Sequence, residues 1–196
     1  MTTPAHEDAE LRIIGLLDGG DVRGAATEIV RVHGPQILGY LSASLRDDDA
    51  AQDAFAQFTE DLWNGLPSFR RECPVRVWSW RLAWHAAART ARDPYRNRGR
   101  RFATGEMSDL AAAYGSIPTA VWTDERSAKL DALRATLDPE ERTLLILRVD
   151  KQMPWNEVAQ VMSTAESQVD AAALRKRFER IKTKLAEHAR AQGLVE

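Results

Sequence analysis

Residues 74–101 read PVRVWSWRLAWHAAARTARDPYRNRGRR, and the rest of the chain is organised around them. Pro74 suits a first helical turn, alanine fills positions 86–88, and no breaker intervenes before Asp93 and Pro94, so the spacing predicts one helix. At about 100° per residue, Trp80 and Trp84 share a face, whereas Trp78 lies roughly 160° from Trp80. A globular helix normally buries one stripe, so a second tryptophan face suggests exposed aromatic surface with another use. The stretch also holds eight arginines (76, 81, 89, 92, 96, 98, 100 and 101) and a single acid, Asp93. Cations for phosphates and flat π-faces for unstacked bases are what single-stranded nucleic acid requires. The plainer reading is a core helix followed by a solvated basic tail.

The charge of the 196-residue chain is segregated. Its formal net charge is −2, yet residues 1–61 carry twelve acids against four bases, and residues 171–190 seven bases against two acids. Separated fields of opposite sign suggest separate partners, polyanions for the basic segments and a basic protein surface for the acidic one. Cys73 is the only cysteine, which excludes an intrachain disulfide and a thiolate metal cluster. No apolar run reaches the roughly 18 residues of a membrane span, and MTTPAHEDAE is not a signal-like start, so a cytoplasmic protein is expected. The four histidines are scattered, with no HExxH, phosphate-cradling glycine loop or serine elbow, which argues against an enzyme, a metal site or a cofactor.

Taken in order, residues 1–9 read as a frayed tail and 10–17 as a helix. A second helix starts near Asp21 and runs toward Val32, with a kink or break at His33, Gly34 and Pro35 before a helical continuation over 36–45. A helix over 50–66 puts Ala51, Ala54, Phe55, Phe58, Leu62 and Trp63 on its apolar side and Asp53, Gln57, Glu60 and Asp61 on the other. That acidic face is either solvated or docks a basic helix of a partner. Residues 66–74 form a loop, and 94–124 a linker without a sustained stripe. Residues 125–137 are helical. Asp138, Pro139 and Glu141 then mark a second start with N-cap, N1 proline and N3 glutamate. Residues 154–162 make a short amphipathic helix, 163–170 a polar turn, and 171–191 a long helix with Leu174, Phe178, Ile181 and Leu185 on one stripe. No strand pattern occurs: the fold is all-α, two helical domains joined by a linker. The last two helices follow a helix-turn-helix plan with a basic outer face, although a surface helix of a bundle can carry as many cations.

Four stretches in this order carry a resemblance: AAQDAFAQFTEDLWNGLPSFR, VRVWSWRLAWHAAARTARD, LDPEERTLLILRVDKQMPWNEVAQVM and ALRKRFERIKTKL. Together the sequence resembles bacterial RNA polymerase sigma factors of the extracytoplasmic-function class over most of 30–92 and 130–188. The turn between Met162 and Leu174 is longer than the compact turn of that family, so the helix-turn-helix is enlarged. The resemblance implies a domain two over 21–93 for core binding and −10 melting, a linker (94–124), and a domain four over 125–196 for the −35 element, and it leaves 1–20 as an N-terminal extension with no clear counterpart. It implies Asp53, Gln57, Asp61 and Trp63 as the core-polymerase contacts. Phe69, Arg70, Arg71, Arg76, Trp78 and Arg81 would hold the melted −10 non-template strand. Arg89 and Arg92, with Arg96, Arg98, Arg100 and Arg101, would meet backbone phosphates. Arg175, Lys176, Arg177 and Arg180 would read the double-stranded −35 element. The implied partners are core RNA polymerase and promoter DNA, with an anti-sigma factor as a further candidate and no membrane. The competing reading is a sigma-like helical adaptor or anti-activator that binds protein and does not start transcription. A one-component repressor is disfavoured by the linker.

Overall fold

The computed structural model describes residues 4–92, 132–164 and 167–191, with side chains from residue 7 onward. Every regular element among the described residues is helical, as the all-α reading requires. The chain divides into two units, Met1–Ile117 and Pro118–Glu196. The linker 94–124, with Arg96, Arg98, Arg100 and Arg101, lies outside the described residues, as do the first part of the helix expected over 125–137 and residues 1–3 of the N-terminal tail.

The first unit is built from α1 (Pro4–Asp18), α2 (Val22–Leu45), α3 (Asp48–Gly65), a 3-10 turn (Leu66–Ser68) and α4 (Val75–Arg92). Short acidic residues set two of the starts. Asp21 accepts from the Gly24 N–H at 2.8 Å and Asp47 from the Ala50 N–H at 2.9 Å, while Asp48 and Asp49 put negative charge on the positive end of α3. Arg46 stops α2 in a left-handed conformation, φ 57°, its N–H bonded to the Ser42 carbonyl. The core lies between α2, α3 and α4, with Ile29, Ile37, Leu41, Phe55, Phe58, Leu62 and Trp80 fully enclosed. Tyr40 meets Trp80 with ring centroids 5.4 Å apart.

Three expectations change. The break at His33, Gly34 and Pro35 does not occur, and α2 is continuous through Pro35. Ile29, Val30 and His33 on one side of the proline and Ile37, Leu38 and Leu41 on the other are all buried on the same face. Packing of that stripe outweighs the ~3 kcal/mol that an interior proline costs. The N-terminal tail is not frayed as far as residue 9, because α1 begins at Pro4 and buries Ala9 and Ile13 against its neighbours. Trp63 does not join the apolar side of α3, being 40% exposed.

In the second unit residues 132–135 are helical, followed by α5 (Pro139–Leu145), a π-helical turn (Ile146–Asp150), α6 (Trp155–Met162) and α7 (Ala171–Ala191). The capping box at the start of α5 forms as read: Asp138 accepts from the Glu141 N–H at 2.8 Å, and Glu141 from the Asp138 N–H at 3.1 Å. Leu144, Leu147, Met153, Val158, Val161, Leu174 and Ile181 form the core, with Phe178 and Leu185 only half-buried on the α7 stripe. The long turn before α7 bonds to itself. The Ser163 hydroxyl donates to the Ala159 carbonyl at 2.7 Å and accepts from the Val169 N–H at 2.9 Å. Thr164 and Ser167 are joined by two further bonds of 2.9 Å.

Candidate nucleic-acid interface

α4 buries most of its circumference against α1, α2 and α3, and both of its tryptophan faces are covered. Trp78, Trp80 and Trp84 are 6%, 2% and 8% exposed, which corrects the expected aromatic platform. Trp78 is roofed by the loop that precedes α4, with the Phe69 ring 4.8 Å away and tilted by 35°. Gly65 lets this ring lie against the end of α3, since a Cβ there would stand 3.1 Å from Trp78 Cζ2. What α4 leaves open is an arc of about 120° in which Arg81, His85, Arg89 and Arg92 recur at intervals of four, four and three residues. Phe69 and Trp78 lie at the N-terminal end of this basic stripe. Arg76 points elsewhere, about 140° from Arg81 around the helix. His85, packed on Trp84 with centroids 4.9 Å apart, has its pKa lowered chiefly by burial and then by Arg89 and Arg81, against an opposing pull from Asp61. It is therefore neutral at pH 7 and can both donate and accept hydrogen bonds.

Beside the stripe lies the open face of α3. The Gln57 side-chain amide donates to Asp61 at 3.0 Å and to Glu60 at 3.4 Å, and Asp61 also takes the Arg89 guanidinium from α4. Asp53 has its pKa raised, first by burial and then by the nearby Asp49 and Asp47. Trp63 stands about 80° from Asp53 and 160° from Asp61 around the axis, so the four expected core contacts spread across the whole open face rather than forming one cluster.

The loop itself is anchored from α1. Arg71, in the left-handed region at φ 60°, reaches Asp18 Oδ1 at 2.5 Å, and the Val75 N–H donates to Glu10 Oε1 at 2.5 Å. Arg70 is exposed beside them.

In the second unit the basic face of α7 is sorted by what each side chain touches. Arg177 turns back onto α5, 2.8 Å from Glu140 and 3.6 Å from Asp138, and Lys184 bonds Glu141 at 2.9 Å. Arg175 lies over the Trp155 ring at 5.9 Å, with Arg148 also over that ring at 5.1 Å and Phe178 edge-on at 5.5 Å. Lys176 and Arg180 are exposed one turn apart on the outer side. Among the described residues no group of histidine, cysteine and carboxylates could hold a metal ion, and no helix is long and apolar enough to cross a membrane.

No family model matches the chain. It is 25% identical over 164 residues to the RNA polymerase sigma factor YlaC of Bacillus subtilis (strain 168), an alignment that spans 80% of this chain and 90% of the relative. The chain is a sigma-factor homologue. A sigma factor is not an enzyme.

Of the residues expected to hold DNA, the fold of this sigma-factor homologue brings Phe69, Trp78, Arg81, Arg89 and Arg92 onto one strip of the first unit, with Arg70 in the adjoining loop. It separates Arg76 from that strip and ties Arg71 to Asp18 and Arg89 to Asp61. On α7 it directs Lys176 and Arg180 outward and Arg177 inward. The sequence reading treats His85 as a partly buried polar residue, which it is, and gives no site role to His85, Glu10 or Asp18. The four-residue spacing of His85 from Arg81 and Arg89 was available as a signal, whereas nothing local marks Glu10 or Asp18.

Proposed function

We propose that the chain is a sigma factor of the extracytoplasmic-function class, a dissociable subunit that directs core RNA polymerase to promoters and helps open the −10 element. The observation that carries this reading is the homology covering 90% of a sigma factor, and the surface chemistry agrees with it. The open face of α3, with Asp53, Gln57, Asp61 and the exposed Trp63, offers a basic partner both charge and an apolar anchor. Arg81 and Arg92 on the stripe suit strand phosphates, with neutral His85 between them for a base edge and Arg89 turned onto Asp61. The loop 69–74 takes an extruded base, whose unstacking costs a few kcal/mol, offset by stacking on Phe69 and hydrogen bonds from Arg70. α7 enters the major groove at the −35 element with Lys176 and Arg180 outermost, and Arg175 is held at its edge by Trp155. The domains are 21–93 with α1 joined to it, and 125–196. The cytoplasm is the compartment that this work requires.

Permanganate probing of promoter fragments with core polymerase tests it. The reading expects thymines in a short upstream element to become reactive only when this protein is added. A complex that forms on core polymerase while every thymine stays paired would favour the adaptor reading instead.

A further inference from the structure

α4 cannot cap its own start. Pro74 has no side-chain oxygen to offer the first-turn N–H groups, and the acceptor for the Val75 N–H is instead Glu10 Oε1, at 2.5 Å and 65 positions earlier in the chain. Four residues before Val75, Arg71 holds a left-handed backbone that non-glycine residues rarely adopt, with its guanidinium on Asp18 Oδ1. Glu10 and Asp18 lie two turns apart on α1. That helix is fixed in turn by the buried Ala9 and Ile13 and by Arg12, which donates to Glu28 of α2 at 3.1 Å. Both ends of the segment 71–75 are thus pinned to one well-anchored helix. Phe69 packs on Trp78 at the other end of the loop, so Arg70 is left projecting between two fixed points.

We propose that α1 belongs to the promoter-reading apparatus, with Glu10 and Asp18 as positioning residues that fix the loop 69–74 and so determine which base Phe69 and Arg70 accept. The inference rests on the reading of that loop as the −10 pocket. It also reassigns Arg71. Its charge is already met by a carboxylate, so Arg71 is a clamp in the loop rather than one of the residues that hold the melted strand.

The test uses the full chain bound to core polymerase and a randomised single-stranded DNA library, with sequencing of the retained strands and a salt titration of one retained strand. Asp18 is 61% exposed on its side chain, so Asp18→Asn folds normally. This variant is expected to reduce enrichment at the loop-read base by about 2- to 5-fold, the range of one exposed ion pair. It also releases Arg71 to phosphate, and the slope of log K against log salt steepens by about 0.7. Glu10→Gln keeps an oxygen for the Val75 N–H and retains the wild-type preference, whereas Glu10→Ala loses it. A merely structural role would lower the melting temperature without moving the base preference or the salt slope. If the wild-type complex selects a base and Asp18→Asn matches it in preference and slope, the proposal fails by itself. If the wild-type complex selects no base, the reading of the loop fails and takes the proposal with it.

Discussion

Truncating Trp63 to alanine tests the docking face of α3 through the largest apolar group it exposes. The side chain is 40% exposed in the free protein. A tryptophan offers up to about 250 Å² of surface, so roughly 100 Å² remains for a partner to cover. At about 25 cal/mol per Å² this amounts to ~2.5 kcal/mol, or about 60-fold in the dissociation constant, as an upper value for complete coverage. Biolayer interferometry against immobilised core RNA polymerase reads the effect. Trp63→Phe serves as control, since it keeps one aromatic ring at this position and gives up part of the apolar surface. The expected order is wild type tightest, Trp63→Phe a few-fold weaker, and Trp63→Ala 10- to 60-fold weaker. Both variants binding within twofold of wild type, with unchanged circular dichroism, would refute the assignment of this face to the polymerase.

Glu28 is held at a pKa of about 2, mainly by its hydrogen bond from Arg31 and also by Arg12, with burial opposing. Its folded value lies below the unfolded one, so its contribution is present above about pH 4.5 and is lost as pH falls toward 2. After allowance for solvent screening, urea titrations should show Glu28→Gln costing about 1–2 kcal/mol at pH 7 and almost nothing at pH 2. Arg142 is 7% exposed and donates to the Leu137 carbonyl at 2.8 Å and to that of Arg134 at 3.3 Å. Arg142→Met takes the guanidinium from the Leu137 carbonyl, while the Arg134 carbonyl keeps the Leu137 N–H, and should destabilise the second unit by about 1–3 kcal/mol, read from its thermal unfolding. Lys176→Ala and Arg180→Ala should each lower the salt slope for double-stranded DNA by about 0.9, whereas Arg177→Ala, whose charge faces Glu140, should leave it unchanged in fluorescence anisotropy titrations.

The signals that proved legible in the sequence are those written within a few residues of each other. Asp138 with Glu141 and Asp21 before Val22 each mark a helix start by a bond spanning three positions, and the start follows, whereas Asp47 starts α3 at Asp48, two residues ahead of the start read at 50. Leu174 and Ile181 keep helical spacing and are buried. Pro35 misled because a breaker is a local property, whereas the stripe that carries α2 through it is satisfied by the neighbouring helices α1, α3 and α4. Between Pro4 and Glu10 the only apolar residues are the alanines Ala5 and Ala9, too weak a pattern to extend the helix read over 10–17 back to Pro4. The helical wheel gave the angle of Trp78 correctly but not the loop that folds back over it through Phe69. Glu10 with Val75, Asp18 with Arg71, Asp61 with Arg89 and Glu140 with Arg177 join positions 28 to 65 residues apart, and no spacing rule encodes such pairs. For the site this matters most, because these pairs decide which arginines face outward.

Run-off transcription tests the central claim most directly. Core RNA polymerase is combined with the purified protein on a library of genomic fragments, and the transcript ends are sequenced. The account predicts discrete start sites whose upstream DNA shares two spaced elements, absent when the protein is omitted. A stable complex with core polymerase that starts no transcript from any fragment would contradict it.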